Sequence, residues 1–158
     1  MTAVYEAPTG PGVRVPPPLV YAAGFLAGVS VESVVASPQP PKALRVAAGA
    51  FSLAMLAALD TTATVRFLRS GTPIIPVRPA KRLVTDGPYR FTRNPMYLGM
   101  AGAYGGAAVA TGVLWALPFL PAVVGVIDRQ VIPREERHLA ETFGVEYERY
   151  RSSVRRWL

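Results

Sequence analysis

The run MYLGMAGAYGGAAVATGVLWALPFLPAVVGVIDRQVI, Met96 to Ile132, carries only two charged residues, Asp128 and Arg129. A helix crosses a hydrocarbon core of about 30 Å with roughly 17–25 apolar residues, so this run is too long for one span and suits two. Thr111-Gly112 offers the break, which predicts spans at about 96–112 and 113–132. Pro118 and Pro121 fall in the second span and predict a kink or a locally loosened helix. This hairpin decides the class, an all-α, polytopic membrane protein.

Two further apolar runs lie upstream. Pro18 to Ser37 (PLVYAAGFLAGVSVESVVAS) is interrupted only by Glu32, and Ala43 to Leu68 carries Asp60 and Arg66 towards its far end. The expectation is four transmembrane helices, at about 18–37, 43–68, 96–112 and 113–132. They form a single domain, 18–158, with a loop at 69–95 and an amphipathic helical segment at 133–158. Residues 1–17, rich in Pro and Gly, read as a mobile tail. One Glu and one Arg precede the first run and no basic n-region does, so it reads as a retained span and not as a cleaved signal.

Only 17% of the 158 residues are charged and 51% are apolar, where soluble domains carry about 25% charged residues. The absence of cysteine excludes a disulfide scaffold, a thiolate metal site and a thiol nucleophile, and a single histidine, His138, excludes a His-cluster metal site. There is no G-x-S-x-G, no Walker A loop and no G-x-G-x-x-G after a strand. The net charge of +7 is unevenly spread: six Lys/Arg lie between Arg69 and Arg93 and six from Arg134 to Arg156, against Lys42 and Arg45 in the 38–45 connection. The positive-inside rule then puts both termini and the 69–95 loop in the cytoplasm, with the protein in the cell (plasma) membrane. Anionic headgroups account for the basic excess, and nucleic acid is not an expected partner.

The unusual residues fall in two blocks at the cytoplasmic ends of the last hairpin. The first is Asp86-Gly87-Pro88-Tyr89-Arg90-Phe91-Thr92-Arg93-Asn94-Pro95-Met96-Tyr97-Leu98-Gly99. Asn94-Pro95 reads as an N-cap and first helical position, and that helix start with Arg93 beside it suits a carboxylate or phosphate; interfacial anchoring is the plainer alternative. Gly99, Gly102, Gly105 and Gly106 then form small-xxx-small pairs, read either as a packing face or as a groove for a flat ligand such as an adenosine. The second block is Ile132-Pro133-Arg134-Glu135-Glu136-Arg137-His138-Leu139. Its paired carboxylates either complement the helix dipole or receive ribose hydroxyls or positive charge. Leu139, Phe143, Tyr147, Tyr150, Val154 and Trp157 recur at steps of three or four with a break at Gly144. They predict two short amphipathic pieces on the membrane surface that roof a cavity. Among the charges within spans, Asp60 or Asp128 is expected to pair with Arg66, and Glu32 to make a helix–helix hydrogen bond.

Together the blocks resemble the isoprenylcysteine carboxyl methyltransferases and their bacterial and phospholipid methyltransferase relatives. The matching elements are Gly87-Pro88-Tyr89, Arg93-Asn94-Pro95-Met96-Tyr97-Leu98-Gly99, Glu135-Glu136 and Phe143-Gly144-x-Glu146-Tyr147-x-x-Tyr150, in the family's order. The resemblance implies an integral membrane enzyme that uses S-adenosylmethionine, without a metal. It places Tyr89, Arg93, Asn94, Pro95, Tyr97, Gly99, Gly102, Glu135 and Glu136 at the cofactor. It places Arg93, Glu136 and Arg156 at the reaction itself, and Tyr147 and Tyr150 on the acceptor side. The acceptor it implies is lipophilic and enters from the membrane: an isoprenylcysteine-like carboxylate, another small acid, thiol or amine, or alternatively a phosphatidylethanolamine headgroup. Position 94 is Asn where the prenylcysteine enzymes have His. A steroid-type, NADPH-dependent reductase is the competing reading, against which stand Met100 after Gly99 and the Glu135-Glu136 pair.

Overall fold

The structure is a computed structural model that describes residues 12–13, 15–61, 65 and 82–158. Every regular element among these is helical: α1 (Pro17–Glu32), α2 (Lys42–Met55), α3 (Pro95–Thr111), α4 (Leu120–Val126), α5 (Ile132–Phe143) and α6 (Val145–Ser153). A π turn over Leu56–Thr61 extends α2, and a 3₁₀ turn over Gly87–Arg90 precedes α3. Loop residues 69–81, Arg66 and the Asp60 side chain lie outside the described residues, as does most of the N-terminal tail.

Among the described residues two continuous helices are long and apolar enough to cross a membrane, Lys42–Leu59 and Leu114–Phe143. The other two expected spans are shorter helices of 16 residues (α1) and 17 residues (α3). At 1.5 Å per residue they reach roughly 24–26 Å. The first apolar run stops being helical near Glu32 and not at Ser37, because Glu32 turns back on the following loop. Its carboxylate accepts the Ser37 N–H at 2.6 Å and the Ser37 hydroxyl at 2.8 Å. It also accepts the backbone N–H of Trp115 at 3.4 Å, an inter-element bond of the kind expected of it.

The last helix departs further from the expected boundaries. It starts as a 3₁₀ segment over Leu114–Phe119 that contains Pro118, then runs through α4, a π turn at Ile127–Val131 and α5 without interruption. The tight turn around Pro118 is the expected loosening. Pro133 does not end the helix, since the π turn just before it shifts the bonding pattern where proline has no N–H to give. The 30-residue helix spans about 45 Å and exceeds a hydrocarbon core of about 30 Å. Its charged end, from Arg134, therefore stands outside the span as α5, continuous with the span and not a separate surface piece. Gly144, at φ +50, makes the expected break before α6.

Helix packing rests on small residues. On α3, a Cβ at Gly106 would lie 2.7 Å from the Ala48 carbonyl oxygen of α2, and one at Gly102 would lie 2.8 Å from Met55 Cγ. The glycine stripe is thus the face on which α2 packs, and the Ser52 hydroxyl donates to the Ala103 carbonyl across it at 2.7 Å. On α1, a Cβ at Gly28 would come 2.3 Å from Ala116 Cα. At the far end of α3, Gly112 adopts φ +82, and Arg45 donates to the Ala110 carbonyl at 3.0 Å and the Thr111 carbonyl at 3.4 Å. A cation there satisfies orphan carbonyls and meets the negative end of the helix dipole. Tyr21 of α1 donates to the Tyr97 carbonyl at 2.9 Å, fixing α1 against the start of α3.

The glycine contacts predict an asymmetric result. Gly28→Ala drives a methyl into backbone and should cost about 1–3 kcal/mol. Gly125→Ala meets nothing within 4 Å and should be neutral or stabilising by up to about 1 kcal/mol. Unfolding titrations in detergent compare the two, and equal effects would contradict the packing.

Candidate functional site

The two charged blocks, far apart in sequence, meet at the start of α3. Arg93 and Glu136 are 43 positions apart, yet an Arg93 Nη2 donates to Glu136 Oε1 at 2.8 Å with both side chains almost buried, 11% and 13% exposed. Glu136 is shared: Arg156 Nη2 donates to its other oxygen at 2.6 Å. One residue earlier on α5, Glu135 Oε1 accepts the Tyr97 hydroxyl at 2.6 Å. Burial pushes the Glu135 carboxyl up to about 7; the Tyr97 hydrogen bond works against this shift and the neighbouring Glu136 charge adds to it. The hydrogen bond to Glu136 holds the Arg156 guanidinium above its ordinary value.

Local structure explains how these side chains converge. The 3₁₀ turn over Gly87–Arg90, opened by Gly87 at φ +62, brings the chain back towards the membrane before Pro95 starts α3. Asn94 occupies the N-cap position as expected, but its side chain makes no capping bond. It donates instead to the Arg156 carbonyl at 2.9 Å, and the Thr92 hydroxyl joins it there at 3.0 Å. The competing acceptor is a strap, residues 154–158, that follows α6 across the helix start. The strap also takes the Arg93 backbone N–H at the Arg155 carbonyl, 2.9 Å. Arg93 Nη1 donates to the Arg151 carbonyl at 2.8 Å and the Val154 carbonyl at 3.2 Å, which leaves Nε buried with no acceptor.

Beside this cluster lies a tyrosine layer. Tyr150 donates to the Tyr89 carbonyl at 2.8 Å, and the Tyr147 and Tyr150 rings stand 6.4 Å apart. Leu83, Val84, Met96 and Phe143 pack against these three tyrosines. Burial, with the Glu136 charge behind it, pushes the Tyr147 phenol up to about 12, so it stays protonated at neutral pH.

The structure therefore gathers Arg93, Asn94, Glu136 and Arg156 into one hydrogen-bonded network beside the Tyr97–Glu135 pair, with Pro95 and Gly99 buried on α3 and Tyr89, Tyr147 and Tyr150 packed together as a separate cluster. Gly102 packs on Met55 of α2. Asp128, with Asp60 one of two candidates to pair with Arg66, a residue outside those described, receives the Trp157 indole N–H at 2.9 Å and faces Arg156 at 3.5 Å. Thr92, Asp128 and Trp157 were not among the expected site residues. Thr92 lay within the quoted motif, whereas nothing in the spacing of Asp128 and Trp157 pointed to their contact. Among the described residues no group of three or more His, Asp or Glu side chains is placed to hold a metal.

A family model described as phospholipid methyltransferase matches residues 44–146, about two thirds of the chain. The chain belongs to the phospholipid methyltransferase family, a membrane enzyme family of the kind its motifs resemble. No curated protein and no solved structure matches it.

The raised carboxyl of Glu135 sets a pH dependence. Its folded value lies above the ordinary 4.5, so burial of the charged form destabilises the fold progressively as pH rises from about 4.5 to about 7, and fully above that. Glu135→Gln keeps an acceptor for the Tyr97 hydroxyl and removes the charge. Thermal melts in detergent from pH 4.5 to 8 should show a flatter profile for the variant and its largest gain at the alkaline end.

Proposed function

We propose that the chain is an S-adenosylmethionine-dependent methyltransferase with four membrane-spanning helices, cytoplasmic termini, and a lipophilic acceptor that enters from the bilayer. The observation that carries this reading is the meeting of Arg93 with Glu136, next in sequence to Glu135, in which the guanidinium keeps a buried Nε that lacks an acceptor. An orphaned buried donor costs about 1–3 kcal/mol, so the site fits a ligand that brings a carboxylate.

In this reading Arg93 binds the carboxylate of the cofactor at the start of α3, where Asn94, Pro95 and Gly99 shape the backbone. Glu135, oriented by Tyr97, takes the ammonium or the ribose hydroxyls. Glu136 and Arg156 hold Arg93 in place near the reacting atoms. Tyr89, Tyr147 and Tyr150 present aromatic faces, which suit a sulfonium on one side and an acceptor on the other. The bound cofactor supplies an electrophilic methyl group. Transfer is an in-line displacement with loss of positive charge, so the protein's contribution is alignment and exclusion of water.

The family description favours a phospholipid acceptor over an isoprenylcysteine-like carboxylate, and one feature of the surface supports it. A cleft of about 650 Å³ lies between the end of α2 and the 86–91 turn, and among the described residues it is lined by Ala58, Leu59, Asp86, Pro88, Arg90 and Phe91. A mostly apolar lining with a cation suits a lipid headgroup with its phosphate towards Arg90.

Calorimetry in detergent is expected to show binding of S-adenosylhomocysteine, weakened at least about tenfold by Arg93→Ala or Glu135→Ala, which is about 1.4 kcal/mol. No heat with this ligand, and binding of NADPH instead, would transfer the assignment to the reductases. Native membranes incubated with labelled methyl donor identify the product by mass, and Arg90→Glu should slow transfer to phosphatidylethanolamine. Equal rates for a fully water-soluble acceptor would contradict entry from the bilayer.

A further inference from the structure

We propose that Asp128 is a positioning residue: with Trp157 it latches the C-terminal strap over the Arg93–Glu136 cluster, and release of this latch admits the ligand. The admission step rests on the proposed cofactor site; the latch itself does not.

Three successive strap carbonyls, those of Val154, Arg155 and Arg156, are all taken by donors from Thr92, Arg93 and Asn94. The strap thereby consumes part of the guanidinium that a ligand carboxylate needs. A ligand that recruits Arg93 either displaces a strap carbonyl or takes Nε, the one buried donor left.

The far end of the strap is fastened differently. Asp128 Oδ1 receives the Trp157 indole N–H at 2.9 Å and faces Arg156 Nη1 at 3.5 Å. Asp128 and Arg156 are about one-third exposed, 34% and 33%, against 11% and 13% for the Arg93–Glu136 pair. A solvated ion pair is weak and a buried one is costly to break, so the strap opens first at the Asp128 end. Asp128 lies in the π turn Ile127–Val131, and such turns recur at functional sites. The Trp157 ring packs against the main core, so the indole both anchors the strap and reports its position. Asp128 acts on the site through Arg156, whose other partner is Glu136. The strap lies beyond residue 146, where the family match ends.

The test is limited trypsin digestion of the full chain in detergent, reading by mass the release of residues after Arg155 and Arg156. Asp128→Ala should speed this cleavage about tenfold, because local opening governs it. Trp157→Phe, which keeps an aromatic ring against the core and removes the indole donor with part of the packed area, should also speed it. Asp128→Asn, which keeps an acceptor for the indole, should restore most of the protection. S-adenosylhomocysteine should slow cleavage of the parent and dissociate several-fold faster from Asp128→Ala. Parental cleavage rates in both Asp128→Ala and Trp157→Phe would overturn the latch. A parent that binds no S-adenosylhomocysteine would overturn the cofactor reading instead, and the digestion would still judge the latch.

Discussion

A single carboxylate, Glu136, holds the charged end of the molecule together. It bridges Arg93, from the loop before α3, and Arg156, from the chain's last residues, while itself standing on α5. Three separate stretches of chain therefore converge on two oxygen atoms. The Glu136 pair with Arg93 is almost buried and contributes little net stability, since desolvation of the charges offsets most of their attraction, while Arg156 is one-third exposed and its attraction is screened. Removing Glu136 is another matter, because it strands the buried Arg93 charge at a cost of about 3–5 kcal/mol. The triad therefore specifies which segments meet more than it stabilises their meeting, and a site built on it is defined by position.

The membrane part supplies the rigidity that this arrangement requires. Glycines on α3 and α1 bring α2 and the 3₁₀ segment into backbone contact, and lipid offers no hydrophobic force to do so otherwise. Tyr21 on the Tyr97 carbonyl and Tyr104 on the Ala116 carbonyl then fix the depth of each helix relative to α3. With those registers set, Tyr97 projects its hydroxyl to Glu135 from the first turn of α3. The uninterrupted helix from Leu114 to Phe143 carries Glu135 and Glu136 out of the apolar run on the same rigid body. Functional side chains on continuous helices are held more closely than those on loops.

The sequence made some of this readable and hid the rest for physical reasons. The Gly112 break and the Gly144 break depend on local composition, and each is found where expected; the helix ends are not, since α1 stops at Glu32 and the last helix runs on to Phe143. The helix through Pro133 was not readable, because a π turn cancels the local penalty that a proline rule assumes. The Asn94 side chain likewise obeys a tertiary partner, the Arg156 carbonyl, in place of the cap its position suggests. Arg93 and Glu136 were legible only as motif elements, since no periodicity links residues 43 positions apart. Asp128 and Trp157 lie outside those elements, and only folding reveals that they touch.

This division bears on chemistry. Residues named by the family pattern cluster around Arg93 and the paired glutamates, which is where the proposed function puts the cofactor. In that proposal the acceptor is met by other surfaces: the tyrosine layer, and the cleft that Asp86 and Arg90 help to line. A lipid headgroup at that cleft lies close in sequence to Arg93, since the turn that carries Arg90 ends three residues before it. The loop between them is short and is held at one end by the Tyr150 bond to the Tyr89 carbonyl and at the other by the strap. Acceptor and cofactor sides are thus tied to the same few residues, and a shift of the strap moves both. A charged donor and a lipid acceptor, arriving from water and bilayer respectively, can then be aligned by one segment of chain.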